Sequence, residues 1–113
     1  MHDNCIFCRI VDGELPSKKV FENETVLAFF DITPQAPFHV LVIPKKHIAS
    51  AAEIDEDNAD VMKDIFLAIS QIAKKNGLKN GFRLISNSGK DSGQAVAHLH
   101  FHMLAGKKFG TNF

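Results

Sequence analysis

From Ala97 to Met103 the chain reads Ala-His-Leu-His-Phe-His-Met, apolar and polar side chains in alternation. A period of two is the pattern of a β-strand whose faces meet unlike surroundings. His98, His100 and His102 fall on one face, and Leu99, Phe101 and Met103 on the other. Such a strand needs an apolar partner for one face and leaves imidazoles on the other. The partner is legible upstream. Val61, Met62, Ile65, Phe66, Ile69, Ile72 and Ala73 recur at helical spacing and form a single stripe. Asp55 is expected to cap this helix. Lys74, Lys75 and then Gly77 mark its end, where cations suit the dipole and glycine suits a left-handed cap.

The remaining elements are short. Cys5–Val11 reads as a helical turn ending at Gly13, and Lys18–Glu22 with Val26–Phe30 as a hairpin around Glu22-Asn23-Glu24. Asp31–Pro37 holds two prolines and reads as a loop. Phe38–Ile43 is an apolar, β-branched strand stopped by Pro44. Phe82–Ser86 is a strand, Ser88–Gly93 a polar loop, and Ala97–Leu104 the last strand. A run of strands with one long helix predicts an α+β fold on an antiparallel sheet, and residues 1–113 allow a single domain.

Composition narrows the function classes. Lys plus Arg and Asp plus Glu both number 13, so no large field draws the chain to nucleic acid or an anionic membrane. The longest apolar stretches, Val26–Phe30 and Val40–Ile43, are too short for a membrane span, and the charged first residues do not resemble a signal peptide. A cytoplasmic protein is expected, with no nucleic-acid or membrane partner. The only cysteines, Cys5 and Cys8, do not make a secreted disulfide framework.

Alternate residues on a strand lie about 6.6 Å apart, which puts His98 and His102 about 13 Å apart at Cα. One metal ion can take two neighbours of this row but hardly all three, so the row serves more than one purpose. A solvated histidine cluster and a plain His-x-His metal pair compete with a catalytic reading. The loop Asn87-Ser88-Gly89-Lys90-Asp91-Ser92-Gly93-Gln94 offers amide donors and free backbone N–H groups suited to phosphate, although it matches no P-loop. Cys5-x-x-Cys8 has the spacing of half a zinc site or of a redox pair. No strand precedes it, which argues against a thioredoxin-like motif.

At His98-Leu99-His100-Phe101-His102-Met103 the chain resembles the histidine triad (HIT) family. The likeness continues through Gly93-Gln94, Asn87, Asp31-Ile32, Pro34-Gln35-Ala36-Pro37 and His39-Val40-Leu41-Val42-Ile43-Pro44-Lys45-Lys46-His47. The ending Leu104-Ala105-Gly106-Lys107 resembles the Hint branch, the histidine triad nucleotide-binding proteins, more than the dinucleoside polyphosphate hydrolases. The resemblance implies a HIT-like α+β fold: a five-stranded antiparallel sheet, one long helix, a short N-terminal helix, and a sheet extended across a homodimer. It implies hydrolysis or transfer at the α-phosphate of a purine nucleotide through a covalent nucleotidyl-histidine, as in purine nucleoside phosphoramidases. A dinucleoside polyphosphate hydrolase, a nucleotide-binding scaffold with little turnover, and a protein whose zinc does the chemistry are the other readings.

The same resemblance assigns residues. His100 is the nucleophile, His102 donates to a phosphate oxygen, and His39 completes the catalytic set with Gln94. Asn87, Gly93, Gln94 and Ala95 hold the phosphate and leaving group together with His100 and His102. Ile6, Phe7, Ile10, Phe29 and Ile32 surround the base, and Asp31 binds the ribose. Cys5, Cys8, His47 and His98 bind one structural zinc per chain, and no organic cofactor is expected. Ala95 departs from the pattern, because many Hint-type members carry serine there.

Overall fold

The computed structural model describes residues 4–112. Five strands form one antiparallel sheet: β1 (Lys19–Glu22), β2 (Val26–Phe30), β3 (Phe38–Pro44), β4 (Arg83–Ile85) and β5 (Phe101–Ala105). Their order across the sheet is β1-β2-β3-β5-β4. The first hairpin turns at Asn23, whose Oδ1 accepts the N–H groups of Thr25 (3.0 Å) and Val26 (2.8 Å). That side chain replaces ladder bonds the turn cannot make.

The central strand β3 is apolar on both faces, and each face meets a helix. Val40 and Val42, with Val26 and Ala28 of β2, pack against Ile65, Ala68, Ile69 and Ile72 of the long helix α2 (Asp60–Lys75). Leu99 and Met103 join this core, and Phe101 meets the ring of Phe66 at 5.6 Å. On the opposite face Leu41 and Ile43, with Leu27 and Phe29, pack against Phe7 and Ile10 of the short helix α1 (Ile6–Val11). The apolar half of the alternating segment therefore faces α2, as its periodicity requires.

Two boundaries differ from expectation by more than one residue. Helix α2 begins at Asp60 behind Ala59, which supplies no side-chain cap. Asp55 instead accepts the N–H groups of Asp57 (2.9 Å) and Asn58 (3.1 Å), closing the turn before the helix. Strand β5 begins at Phe101 rather than Ala97. Upstream of it the backbone bonds elsewhere: the Leu99 N–H goes to the Ile48 carbonyl (2.6 Å) and the His98 N–H to that of Val96 (2.8 Å). At its far end β5 stops on Gly106, whose φ of +96° suits glycine, and where an added Cβ would come within 2.9 Å of the Pro37 ring. This contact fixes the end of β5 against the loop between β2 and β3.

Candidate active site and metal centre

The approach to β5 carries two histidines with opposite ring orientations. His98 is fully buried, and its Nε2 lies 2.8 Å from the Pro44 carbonyl oxygen. A carbonyl only accepts, so Nε2–H donates and Nδ1 presents its lone pair. That Nδ1 lies 3.4 Å from Cys5 Sγ and 3.5 Å from Cys8 Sγ. His47 Nδ1 lies 3.2 Å from Cys8 Sγ. Cys5 caps α1 and Cys8 sits one turn further on, so both sulfurs share one side of the helix.

All the ligating atoms of Cys5, Cys8, His47 and His98 lie within 4.8 Å of one another. Zn–S near 2.3 Å and Zn–N near 2.0 Å on a tetrahedron give a sulfur-to-nitrogen edge of about 3.5 Å. The observed separations match that edge, and the Cys2His2 donor set, buried except at the half-buried His47, can hold a metal ion such as zinc. Four protein ligands would leave no open coordination position.

His100 is turned the other way. Its Nδ1–H donates to the His98 carbonyl at 2.7 Å, which leaves Nε2 bare. The edge of Phe7 packs on this ring, with centroids 5.2 Å apart. The register of β3 against β5 places Leu41 opposite His102 and His39 opposite Leu104, so His39 and His102 are diagonal neighbours on one face.

His39 Nδ1 accepts the Gln35 backbone N–H at 3.0 Å. In the neutral ring the proton then sits on Nε2, which donates to His102 Nδ1 at 2.9 Å. The His102 proton is thereby placed on Nε2. Asp31 Oδ2 stands 3.5 Å from His39 Nε2. Asp31, His39 and His102 also cluster closely enough to hold an ion. The facing ring nitrogens of His39 and His102 already share a proton, so the two rings form a hydrogen-bonded pair beside Asp31. Burial, reinforced by His100 and His39 and opposed by Asp31, pushes the His102 pKa below its ordinary 6.5. His102 is consequently neutral at pH 7.

Beside these rings lies a cleft of about 760 Å³. Ile6, Phe7, Ile10, Phe29, Asp31 and Ile32, the residues expected around a nucleoside, all line it, and so does His39. Ile32 is 95% exposed, an apolar side chain standing at the rim. Pro16, Ser17, Lys18, Phe30, Pro34, Pro37 and Leu41 also line the cleft, although the sequence assigns none of them a site role. Only the three-dimensional path of the β1 approach and of the loop before β3 brings them there.

The loop before β5 contains a 3₁₀ turn, Lys90–Ser92, and closes at Gly93 in the left-handed conformation. Gln94 braces it. Its Oε1 accepts the Gly89 N–H (2.8 Å), and its Nε2 donates to the carbonyls of Ala49 (2.7 Å) and Val96 (2.9 Å). The expected direct hold of Gln94 on phosphate thus meets an amide already committed to the chain. Asn87 is half-buried next to Ser86, whose hydroxyl donates to the His100 carbonyl at 2.8 Å. Ala95 lines a smaller hollow of about 260 Å³ with Cys5 and His47. Among the described residues no helix is long and apolar enough to cross a membrane.

A sheet bearing paired imidazoles beside an apolar cleft, with a second histidine set gathered by cysteines, defines a histidine-triad class of protein. The HIT domain model matches residues 12–109, and the chain belongs to the HIT family. Protein HitA of Neisseria gonorrhoeae is 42% identical over 102 residues, covering 90% of this chain and 95% of HitA. A HIT family hydrolase from Clostridium thermocellum superposes with a TM-score of 0.96 at 47% identity, over 99% of this chain and 98% of that one. A histidine triad nucleotide-binding protein from Candida albicans gives 0.87 at 34% identity, over 97% and 82%.

Proposed function

We propose that the protein is a nucleotidyl hydrolase or transferase of the Hint-like kind, acting at the α-phosphate of purine nucleotides and closest to a purine nucleoside phosphoramidase. The observation that carries this reading is the 2.7 Å bond from His100 Nδ1–H to the His98 carbonyl, which leaves Nε2 as an unprotonated nucleophile. In the first step Nε2 bonds to phosphorus, and the bond from phosphorus to the leaving group breaks with its electron pair on the leaving atom. In the second, water displaces His100 and releases the nucleoside monophosphate. His102 Nε2–H donates to a non-bridging phosphate oxygen, and His39 holds the His102 tautomer. Asn87 and the backbone at Gly93 and Ala95 meet the phosphate and leaving group, while Gln94 keeps their loop in place.

The nucleoside occupies the large cleft, with the base among Ile6, Phe7, Ile10, Phe29 and Ile32 and the ribose hydroxyls on Asp31. Its volume and apolar walls suit a purine nucleoside. The Candida relative's description as nucleotide-binding supports this assignment. The metal at Cys5, Cys8, His47 and His98 is zinc, structural rather than catalytic because its ligand set is closed. Buried Cys5 and Cys8 with no disulfide between them suit a reducing, cytoplasmic setting. A second copy pairs along the edge strand β4 and covers the exposed Phe66 and Leu67 of α2. Sedimentation at micromolar concentration is expected to give twice 12.5 kDa, and a stable monomer would refute the pairing.

The deciding experiment offers adenosine and guanosine phosphoramidates and dinucleoside polyphosphates, follows release of nucleoside monophosphate, and acid-quenches with labelled substrate. Label trapped on His100 is expected. Nucleotide binding without turnover of any substrate would favour the scaffold reading instead.

A further inference from the structure

The end of the sheet beyond the histidines carries a cluster of cations that the reaction outlined above does not use. A hollow of about 520 Å³ beside β4 is walled by Asn80, Arg83, Lys107, Lys108 and Phe109, with no carboxylate in its lining. Arg83 stacks on Phe109 with its guanidinium carbon 5.0 Å from the ring centroid, and its Nη2 donates to the Gly110 carbonyl at 2.6 Å. Lys107 Nζ lies 5.6 Å from the same centroid. Among the described residues none of these three cations forms an ion pair. The chain as a whole carries no net charge, which makes the concentration local.

Register places this cluster on the catalytic face. Arg83 and His39 both pair with Leu104, one from each side. Leu84 packs into the α2 core, so its neighbour Arg83 points the other way, to the face that bears His39 and His102. With strands about 4.8 Å apart, the Arg83 Cα lies roughly 10 Å from that of His39 and about 8 Å from that of His102. The large cleft is built by α1, β2, β3 and the loop after β2, all on the far side of β5 from β4. A nucleotide seated in the cleft with its α-phosphate at the β5 histidines therefore continues toward β4.

We propose that Arg83, Lys107 and Lys108 form a leaving-group subsite that selects nucleotidyl substrates whose leaving group is itself anionic. This rests on the nucleotidyl-transfer reading. When His100 Nε2 bonds to phosphorus, the leaving atom keeps the electron pair and gains one unit of negative charge. Fixed cations near a group already bearing a phosphate or carboxylate stabilise it through that step.

The test compares three adenosine 5′-monophosphate derivatives: a phosphoramidate of an amino acid with a free carboxylate, the same compound as its neutral carboxamide, and the anhydride with phosphate. Wild type is expected to turn over both anionic substrates at least about fivefold faster, in kcat/KM, than the carboxamide. The advantage over the carboxamide should shrink as salt rises from 0.05 M to 0.5 M. Arg83→Gln and, separately, the exposed Lys107→Gln/Lys108→Gln pair should lower turnover of the anionic substrates alone. An advantage confined to the phosphate substrate would narrow the subsite to phosphate chains and still support it. Equal turnover of carboxamide and anionic substrates by wild type overturns the subsite, as does an advantage that survives both variants. If the variants only lower the melting temperature, the cluster merely ties down the C-terminal residues and the proposal falls. Release of no nucleoside monophosphate from any of the three by wild type sinks the nucleotidyl-transfer reading itself.

Discussion

His98 and His100 stand two residues apart, yet each is fastened by the nitrogen the other leaves bare. His98 is held through Nε2 by the Pro44 carbonyl and offers Nδ1 to two sulfurs. His100 is held through Nδ1 by the His98 carbonyl and offers Nε2 to a ligand. In the proposed assignment the same side chain serves as a metal ligand or as a nucleophile according to which nitrogen a backbone carbonyl takes. The two sites are also joined in series: the residue whose ring faces the cysteines supplies the carbonyl that orients the His100 ring.

The sharpest way to separate them is His100→Asn. Turnover should fall by a thousandfold or more, roughly 4 kcal/mol in barrier, with metal content and melting temperature near wild type. Rapid kinetics and metal analysis on one preparation check this, and near-normal turnover would remove His100 from the nucleophile's role. The reciprocal change is Cys8→Ser or chelation. It should release the metal and lower the melting temperature by about 10 °C or more, because binding to a site absent from the unfolded chain is folding energy. A metal-free protein that melts like wild type, with a Cys5–Cys8 disulfide, would show that no metal belongs there.

A smaller effect tests His102. Its folded pKa is depressed, so between that value and the unfolded 6.5 the unfolded chain binds more protons. Its contribution is intact above 6.5 and is lost as pH falls toward the folded value. Comparing melting temperatures at pH 7.5 and 5.5, His102→Gln should lose a few °C less than wild type. Equal losses would mean that the metal ligands alone carry the acid sensitivity.

Smallest is Ala95→Ser. A hydroxyl beside the scissile bond can assist a departing amine, worth about 1 kcal/mol or roughly fivefold in rate. Phosphoramidates with poor amine leaving groups should gain it, and aryl esters should not. An equal gain on both would place the hydroxyl on the phosphate or in packing.

The pattern of the fold was legible because it rests on periodicity. The α2 stripe and the alternation through Met103 each name a buried face, and both faces meet. Element ends were less legible because they depend on competing local bonds. Asp55 looks like a cap in isolation, but its carboxylate is used one turn early. Ala97–His100 keeps strand alternation without strand pairing, because the His98 ring is anchored at Pro44 and the Leu99 N–H at Ile48. In the site, residue types and motif order pointed to the histidines, cysteines and cleft residues. What they could not show was which nitrogen each ring exposes. Pro44, Gln35 and His98 set that through main-chain groups, which leave no mark on residue type. The engaged amide of Gln94 was hidden for the same reason, since two of its three partners are carbonyls and the third a backbone N–H.

The Gln35 N–H bond to His39 has an evolutionary side. A tautomer fixed by a main-chain donor is indifferent to the side chain at that position, so drift at residue 35 leaves the proton on the His102 side of the pair. One substitution is the exception: proline, which has no N–H to give. Residue 35 is thus open to almost any amino acid chemically and closed to one, a form of selection that a comparison of side-chain properties would miss.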